Sequence, residues 1–184
     1  MKNLFAKLSF CTAILASVAS SHAYASLAVG AQAPDFTTMA SQGGNEFSYH
    51  LKDALKKGPV VLYFYPAAFT KGCTVEAHDF AEAIPHYKSL GASVIGVSTD
   101  PIETLKKFSV SECRSTFPVA EDPNGTITTT YDARDNLQKR ANRTSYVIAP
   151  NGTIVMSYTN NDPDEHVERT LNAIKRLNTH DHTR

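Results

Sequence analysis

Hydrophobic residues in this chain gather into short dense runs, and the spacing within each run predicts its element. Val60-Val61-Leu62-Tyr63-Phe64-Tyr65 is continuous, β-branched and aromatic, the pattern of a central strand covered on both faces. Pro66 ends it, because proline has no N–H to donate to a ladder. Ser93-Val94-Ile95-Gly96-Val97-Ser98 predicts a second buried strand, and after Pro101 the residues Ile102, Leu105 and Phe108 recur at helical spacing. From Cys73 to Leu90 the apolar positions Val75, Phe80, Ile84 and Tyr87 fit a helical face only loosely, and Pro85 predicts a break into two helical pieces.

On either side of this middle section the pattern changes. Phe36 to Met39 and Glu46 to Tyr49 flank Ser41-Gln42-Gly43-Gly44-Asn45, which predicts a hairpin because glycine tolerates positive φ. Asp122-Pro123-Asn124-Gly125 marks a turn, and Tyr146-Val147-Ile148, Pro150-Asn151-Gly152 and Ile154-Val155-Met156 predict a closing hairpin. Asp162-Pro163-Asp164-Glu165 offers an Asp N-cap, a proline at the first helical position and a glutamate at N3, opening a last helix to about Leu177. The β-α-β-α order implies parallel strands with right-handed crossovers, so the expected class is α/β: a central mixed sheet flanked by helices, with an N-terminal hairpin.

Composition narrows the picture. A chain of 184 residues with 42% hydrophobic and 20% charged residues suits one globular domain with a full core. Residues 1–25 read separately: Lys2 and Lys7 are their only charges besides the terminus, Leu8 to Val18 is a short apolar run, and Ala23-Tyr24-Ala25 offers small residues for cleavage. This is the pattern of a secretory signal peptide, and it leads to the expectation of a periplasmic or secreted domain over 26–180 with a disordered tail at 181–184. The apolar run is too short to span a bilayer comfortably, and no later run is long enough. Cys11 lies inside the leader, so the exported chain keeps Cys73 and Cys113. Taking Lys2 and Lys7 from 18 basic residues leaves 16 against 18 acidic ones, a formal charge of −2. No basic stripe for nucleic acid is present. Two cysteines in a chain of this size do not make a disulfide framework, which turns attention to their chemistry.

Cys73 follows a buried strand and precedes a helical segment. Free N–H groups and the positive end of the helix dipole favour a thiolate there, the nucleophilic form of cysteine. The spacing Pro66, Thr70, Cys73, within Tyr63-Phe64-Tyr65-Pro66 through Gly72-Cys73-Thr74-Val75-Glu76-Ala77, resembles the active-site loop of the peroxiredoxins, above all the bacterioferritin-comigratory or Q-type group. Val29-Gly30-Ala31-Gln32-Ala33-Pro34-Asp35-Phe36 is similar to their opening, and the resemblance runs from roughly Gly30 to Leu177. It implies a thioredoxin-like fold and a thiol-dependent peroxidase for hydrogen peroxide and organic hydroperoxides. Cys73 would become a sulfenic acid, with a thioredoxin-like or other thiol as reductant and no metal, haem or flavin.

The same resemblance implies roles for single residues. Thr70 would meet a peroxide oxygen, Pro66 would cover the sulfur as well as end the strand, and Arg143, just before the closing hairpin, would hold thiolate and peroxide together. Arg140 and Arg134 are weaker substitutes for Arg143. Glu76 has two readings: an orienter of the arginine, or a favourable first-turn acid. Cys73 itself has the ordinary alternative of a small buried hydrophobe.

The chain departs from the Q-type pattern in one place. Many members carry a second, resolving cysteine five residues after the first, where this chain has His78, read as a surface residue with site tuning as the alternative. Cys113, 40 residues beyond Cys73, is then the remaining candidate for resolution, and it equally suits a buried inert thiol. His180-Asp181-His182 does not supply a closed metal-ligand set. Three Asn-x-Thr sequons, at Asn124, Asn142 and Asn151, carry no weight beside a bacterial-looking leader.

Three rival functions fit the pattern less well. A disulfide oxidoreductase needs Cys-x-x-Cys where this chain has Thr70-Lys71-Gly72-Cys73, and a cysteine hydrolase needs a histidine base poised on Cys73. A non-catalytic periplasmic binding or chaperone-like protein on the same scaffold would tolerate Cys73→Ser. A monomer or weak dimer is expected, since no long C-terminal arm is visible.

Overall fold

The computed structural model describes residues 26–135 and 137–181, with side chains to Thr179. The leader reading, most of the tail reading and the side chains of His180-Asp181-His182 lie outside the described residues.

The elements run β1 (Thr37–Gln42), β2 (Asn45–His50), α1 (Leu51–Leu55), β3 (Val60–Phe64), α2 (Lys71–Ser89), β4 (Ser93–Ser98), α3 (Ile102–Ser111), β5 (Val119–Glu121), α4 (Thr126–Thr130), β6 (Arg134–Asp135), β7 (Arg140–Ala141), β8 (Thr144–Ile148), β9 (Ile154–Thr159) and α5 (His166–Asp181). Seven strands form one sheet in the order β2-β1-β5-β4-β3-β8-β9, and β6 and β7 pair separately. β3 is parallel to β4 and antiparallel to β8, so the sheet is mixed, as the pattern implied. This is the expected α/β arrangement.

β3 lies inside the sheet between β4 and β8, and all five of its residues are buried. Its alternation divides the core. Val61, Tyr63 and Tyr65 join Phe80, Ile84 and Tyr87 of α2, Leu105 and Phe108 of α3 and Ile174 of α5 on one face. Val60, Leu62 and Phe64 meet Leu51 and Leu55 of α1, Tyr131 and Tyr146 on the other. The N-terminal hairpin closes through Gly43 and Gly44, with φ of 57° and 81°, values that favour glycine over any residue with a Cβ.

Two sequence expectations are corrected. The segment from Lys71 to Ser89 is one helix that passes through Pro85, not two pieces. An interior proline costs about 3 kcal/mol. Fully burying Ile84 and Tyr87, which flank it in the core, returns roughly 1.5–3 kcal/mol for each. The last helix begins at His166, not beside Asp162, and continues past Leu177 to Asp181. Asp162 still accepts the amide of Asp164 at 3.2 Å, so its side chain caps a turn ahead of the helix.

Candidate active site

The end of β3 delivers the chain to the sulfur. After Tyr65 and Pro66 a short loop is tied to the end of β4: the Ala68 amide donates to Asp100 Oδ2 at 2.7 Å, and the Ser98 hydroxyl donates to the same oxygen at 2.9 Å. Phe69 takes a left-handed φ of 64° and sets its ring edge-on against Phe108 at 5.2 Å. Thr70 is then the N-cap of α2, and its hydroxyl donates to the Ala67 carbonyl at 2.9 Å instead of capping the helix. With that proton engaged, the exposed hydroxyl oxygen has lone pairs free to accept from a visiting O–H. The helix starts at Lys71, so Cys73 is its third residue, within the first turn whose N–H groups lack helical acceptors.

β8 supplies the counter-charge. Its antiparallel register sets Thr144 opposite Phe64, so Arg143 stands just past the point where β3 ends. Arg143 is only 5% exposed. Its Nη2 points at Cys73 Sγ at 3.6 Å, its Nη1 donates to Glu76 Oε2, and its Nε donates to the Asn161 carbonyl at 3.0 Å. Gly72 makes room for this approach, since a Cβ there would lie 3.0 Å from Nη2. Glu76 is fully buried one helical turn after Cys73, and burial pushes its carboxyl up to about 8 against the opposing pull of Arg143. Residues 29–157, which contain Thr70, Cys73, Glu76 and Arg143, match the family model described as AhpC/TSA family.

The chain belongs to the AhpC/TSA family.

Relatives place this AhpC/TSA protein among the peroxiredoxins of Q type. It is 31% identical over 156 residues to the chloroplastic peroxiredoxin Q of Sedum lineare, covering 84% of this chain and 81% of that one. It is 33% identical over 150 residues to the chloroplastic peroxiredoxin Q of Triticum aestivum, covering 80% and 67%. Among solved structures it resembles peroxidoxin BcpB from Mycobacterium tuberculosis, with a TM-score of 0.74 and 30% identity over 81% of this chain and 97% of that one. Enterococcus faecalis AhpC follows with a TM-score of 0.73 and 26% identity, covering 83% and 95%. The protein is a thiol-dependent peroxidase with a thioredoxin-like fold, and the non-catalytic alternative is not favoured.

Within this peroxiredoxin the predicted site residues divide into two groups. Cys73, Arg143 and Glu76 are in contact, with Thr70 and Pro66 on the loop that leads to them. Arg134 and Arg140 are elsewhere: Arg134 Nη1 donates to the Asn124 carbonyl at 3.1 Å, and Arg140 is exposed on β7. Among the described residues Cys113 makes no hydrogen bond or ion pair with Cys73 or Arg143. It follows the C-cap of α3, is fully buried in the same core cluster as Cys73, and is a free thiol, as Cys73 is. Burial, with a smaller contribution from Glu112, pushes its thiol far up. His78 is a partly exposed residue whose Nε2 lies 2.9 Å from the carboxylate of Glu112, the neighbour of Cys113. Sequence reasoning missed the Asn161 carbonyl, which takes Arg143 Nε, and His166, which faces Glu76 and is itself bonded to Ser145 and the Asn160 carbonyl. No motif marks them, and only the β8 register and the start of α5 bring them together. Among the described residues no group of three or more His, Cys, Asp or Glu side chains could hold a metal ion.

Proposed function

We propose that Cys73 is the peroxidatic nucleophile and that Arg143, Thr70 and Pro66 serve its reaction. The thiolate sulfur attacks one peroxide oxygen, an S–O bond forms and the O–O bond breaks. Sulfur loses two electrons to the peroxide, and the departing alkoxide or hydroxide takes the proton of the attacked oxygen to leave as alcohol or water, while the sulfenate left on Cys73 is protonated by water to the sulfenic acid. The observation that carries this reading is the guanidinium of Arg143 facing Cys73 Sγ at 3.6 Å while Glu76 braces its other side. A planar cation in that position attracts the thiolate and can donate to a peroxide oxygen arriving beside it. The Thr70 hydroxyl oxygen accepts a hydrogen bond from the peroxide O–H, and Pro66 shields the sulfur without adding a donor.

The second step returns Cys73 to the thiol. Either Cys113 or an external thiol attacks the sulfenic sulfur, an S–S bond forms and water leaves; a dithiol reductant then reduces the disulfide. The internal route requires the Cys113 segment to leave its buried position. The missing cysteine at His78 and the absence of any other thiol after the leader favour Cys113, while its burial favours the external route. The leader pattern supports export to the periplasm, and monomer or weak dimer remains the proposed state. The test is peroxide consumption with dithiothreitol as reductant: Cys73→Ser should abolish it, and wild-type consumption retained by that variant would overturn the assignment.

A further inference from the structure

His166 is a buried ionisable side chain beside the site that peroxide chemistry leaves without a task. It opens α5 and has no exposed surface. Its Nε2 lies 3.0 Å from the Asn160 carbonyl, which can only accept, so this nitrogen carries the proton. Its Nδ1 lies 2.8 Å from the Ser145 hydroxyl, and burial holds the imidazole down to about 4, so near neutrality Nδ1 is the acceptor and the ring is uncharged.

The same Nδ1 is 3.8 Å from Glu76 Oε1. That oxygen is buried and has no hydrogen-bond partner, while its twin Oε2 receives Arg143. At that distance, and with Nδ1 an acceptor, the imidazole does not pair with Oε1 but bounds it by packing, so the position of the ring limits where the carboxyl can move. The turn that binds the imidazole also binds the guanidinium: Asn160 takes His166 Nε2, and the next carbonyl, Asn161, takes Arg143 Nε at 3.0 Å. On the outer side the Tyr158 ring packs on the imidazole at 4.8 Å, and Arg169 covers that ring while paired with Glu165.

We propose that His166 is a positioning residue for the peroxidase reaction, holding the Glu76 carboxyl and the Asn160–Asn161 turn so that Arg143 meets Cys73. The inference rests on the assignment of Cys73 and Arg143 made above. His166 touches neither the sulfur nor the peroxide. It closes the space behind Glu76, keeps water off Oε1, and ties β8, through Ser145, to the turn before α5. An uncharged ring with a donor at one nitrogen and an acceptor at the other makes both bonds at once. Without it the carboxyl and the Asn161 carbonyl gain freedom, and the guanidinium they hold from two sides loses its aim. Misplacement of a positioning group by about 1 Å can cost on the order of 100-fold in rate.

The test compares His166→Phe, which fills the volume with no polar atom, and His166→Gln, which retains a donor for Asn160, in the full chain with hydrogen peroxide and dithiothreitol. Circular dichroism establishes that each is folded. His166→Phe should lower kcat/KM at least about tenfold, mostly through KM, and His166→Gln should lose only about threefold. Folded His166→Phe within twofold of wild type, or no better result for His166→Gln, would overturn the inference. Should His166→Phe not fold, His166→Gln decides alone: a raised KM supports the inference and unchanged kinetics overturns it. Wild-type turnover that survives Cys73→Ser would instead sink the site assignment, a separate outcome.

Discussion

Gly72→Ala should slow peroxide reduction without weakening the fold. Gly72 precedes the sulfur in the first turn of α2, and its φ is not in the left-handed region, so alanine suits the helix and gains up to about 0.5–1 kcal/mol over glycine there. The added Cβ, however, would sit 3.0 Å from Arg143 Nη2, closer than ordinary contact. The guanidinium cannot slide freely, because Glu76 and the Asn161 carbonyl hold its other nitrogens. If Nη2 retreats by about 0.5 Å from its 3.6 Å approach to Sγ, the attraction between two unit charges at an effective dielectric of about 20 falls from roughly 4.6 to roughly 4.0 kcal/mol. A loss of about 0.6 kcal/mol is close to threefold in rate. The chain has no tryptophan, so rapid quench followed by intact mass is the suitable single-turnover assay. A threefold slower formation of oxidised Cys73 beside an equal or higher thermal midpoint is expected. Wild-type speed in the alanine variant would refute the claim that close guanidinium approach sets the rate.

The remaining expectations concern the second thiol and the buried ionisable pair. His78→Ala removes the partner of Glu112 beside Cys113, so maleimide labelling of Cys113, measured in a Cys73→Ser background, should quicken several-fold; an unchanged rate would show that the His78–Glu112 pair does not restrain this segment. Cys113→Ser places a hydroxyl in a fully buried apolar site, and the urea midpoint should fall by an equivalent of about 1–3 kcal/mol. His166 has its folded pKa depressed to about 4 from an ordinary 6.5, so the neutral ring contributes stability that is present above pH 6.5 and is lost as pH falls through 4. Glu76, with its carboxyl raised to about 8, titrates with the opposite sign over the same window, so the measurement is the difference in urea midpoint between wild type and His166→Gln, in which Glu76 largely cancels. From pH 6.5 to 4 wild type should lose on the order of 3 kcal/mol relative to the variant, and a constant difference would refute the linkage.

Legibility in the sequence followed the range of each interaction. Val60 to Phe64 announced a central strand because burial on both faces leaves no polar alternation, and Gly43-Gly44 announced its turn because few other residues take that backbone conformation. Cys73 with Thr70 and Pro66 was legible because strand end, loop and helix start are contiguous in the chain. Arg143 was legible only by resemblance, since the register of Thr144 on Phe64 brings it across 70 residues of sequence to the sulfur. Pro85 misled because local propensity was weighed without the core that holds both sides of the helix. His166 was invisible for a related reason: its value lies in meeting Ser145, Asn160 and Glu76, which three different parts of the fold supply. β5, α1 and α4 were also missed, each at most five residues long and held by its neighbours more than by its own pattern.

The most direct measurement of the central claim is the intact mass of the reduced protein after one equivalent of hydrogen peroxide, beside Cys73→Ser. A gain of one oxygen that resolves with added thiol, or a loss of two hydrogens marking an internal Cys73–Cys113 disulfide, should occur in wild type and vanish in the variant. Wild-type protein of unchanged mass, or the same mass change in Cys73→Ser, would contradict a peroxidatic role for Cys73.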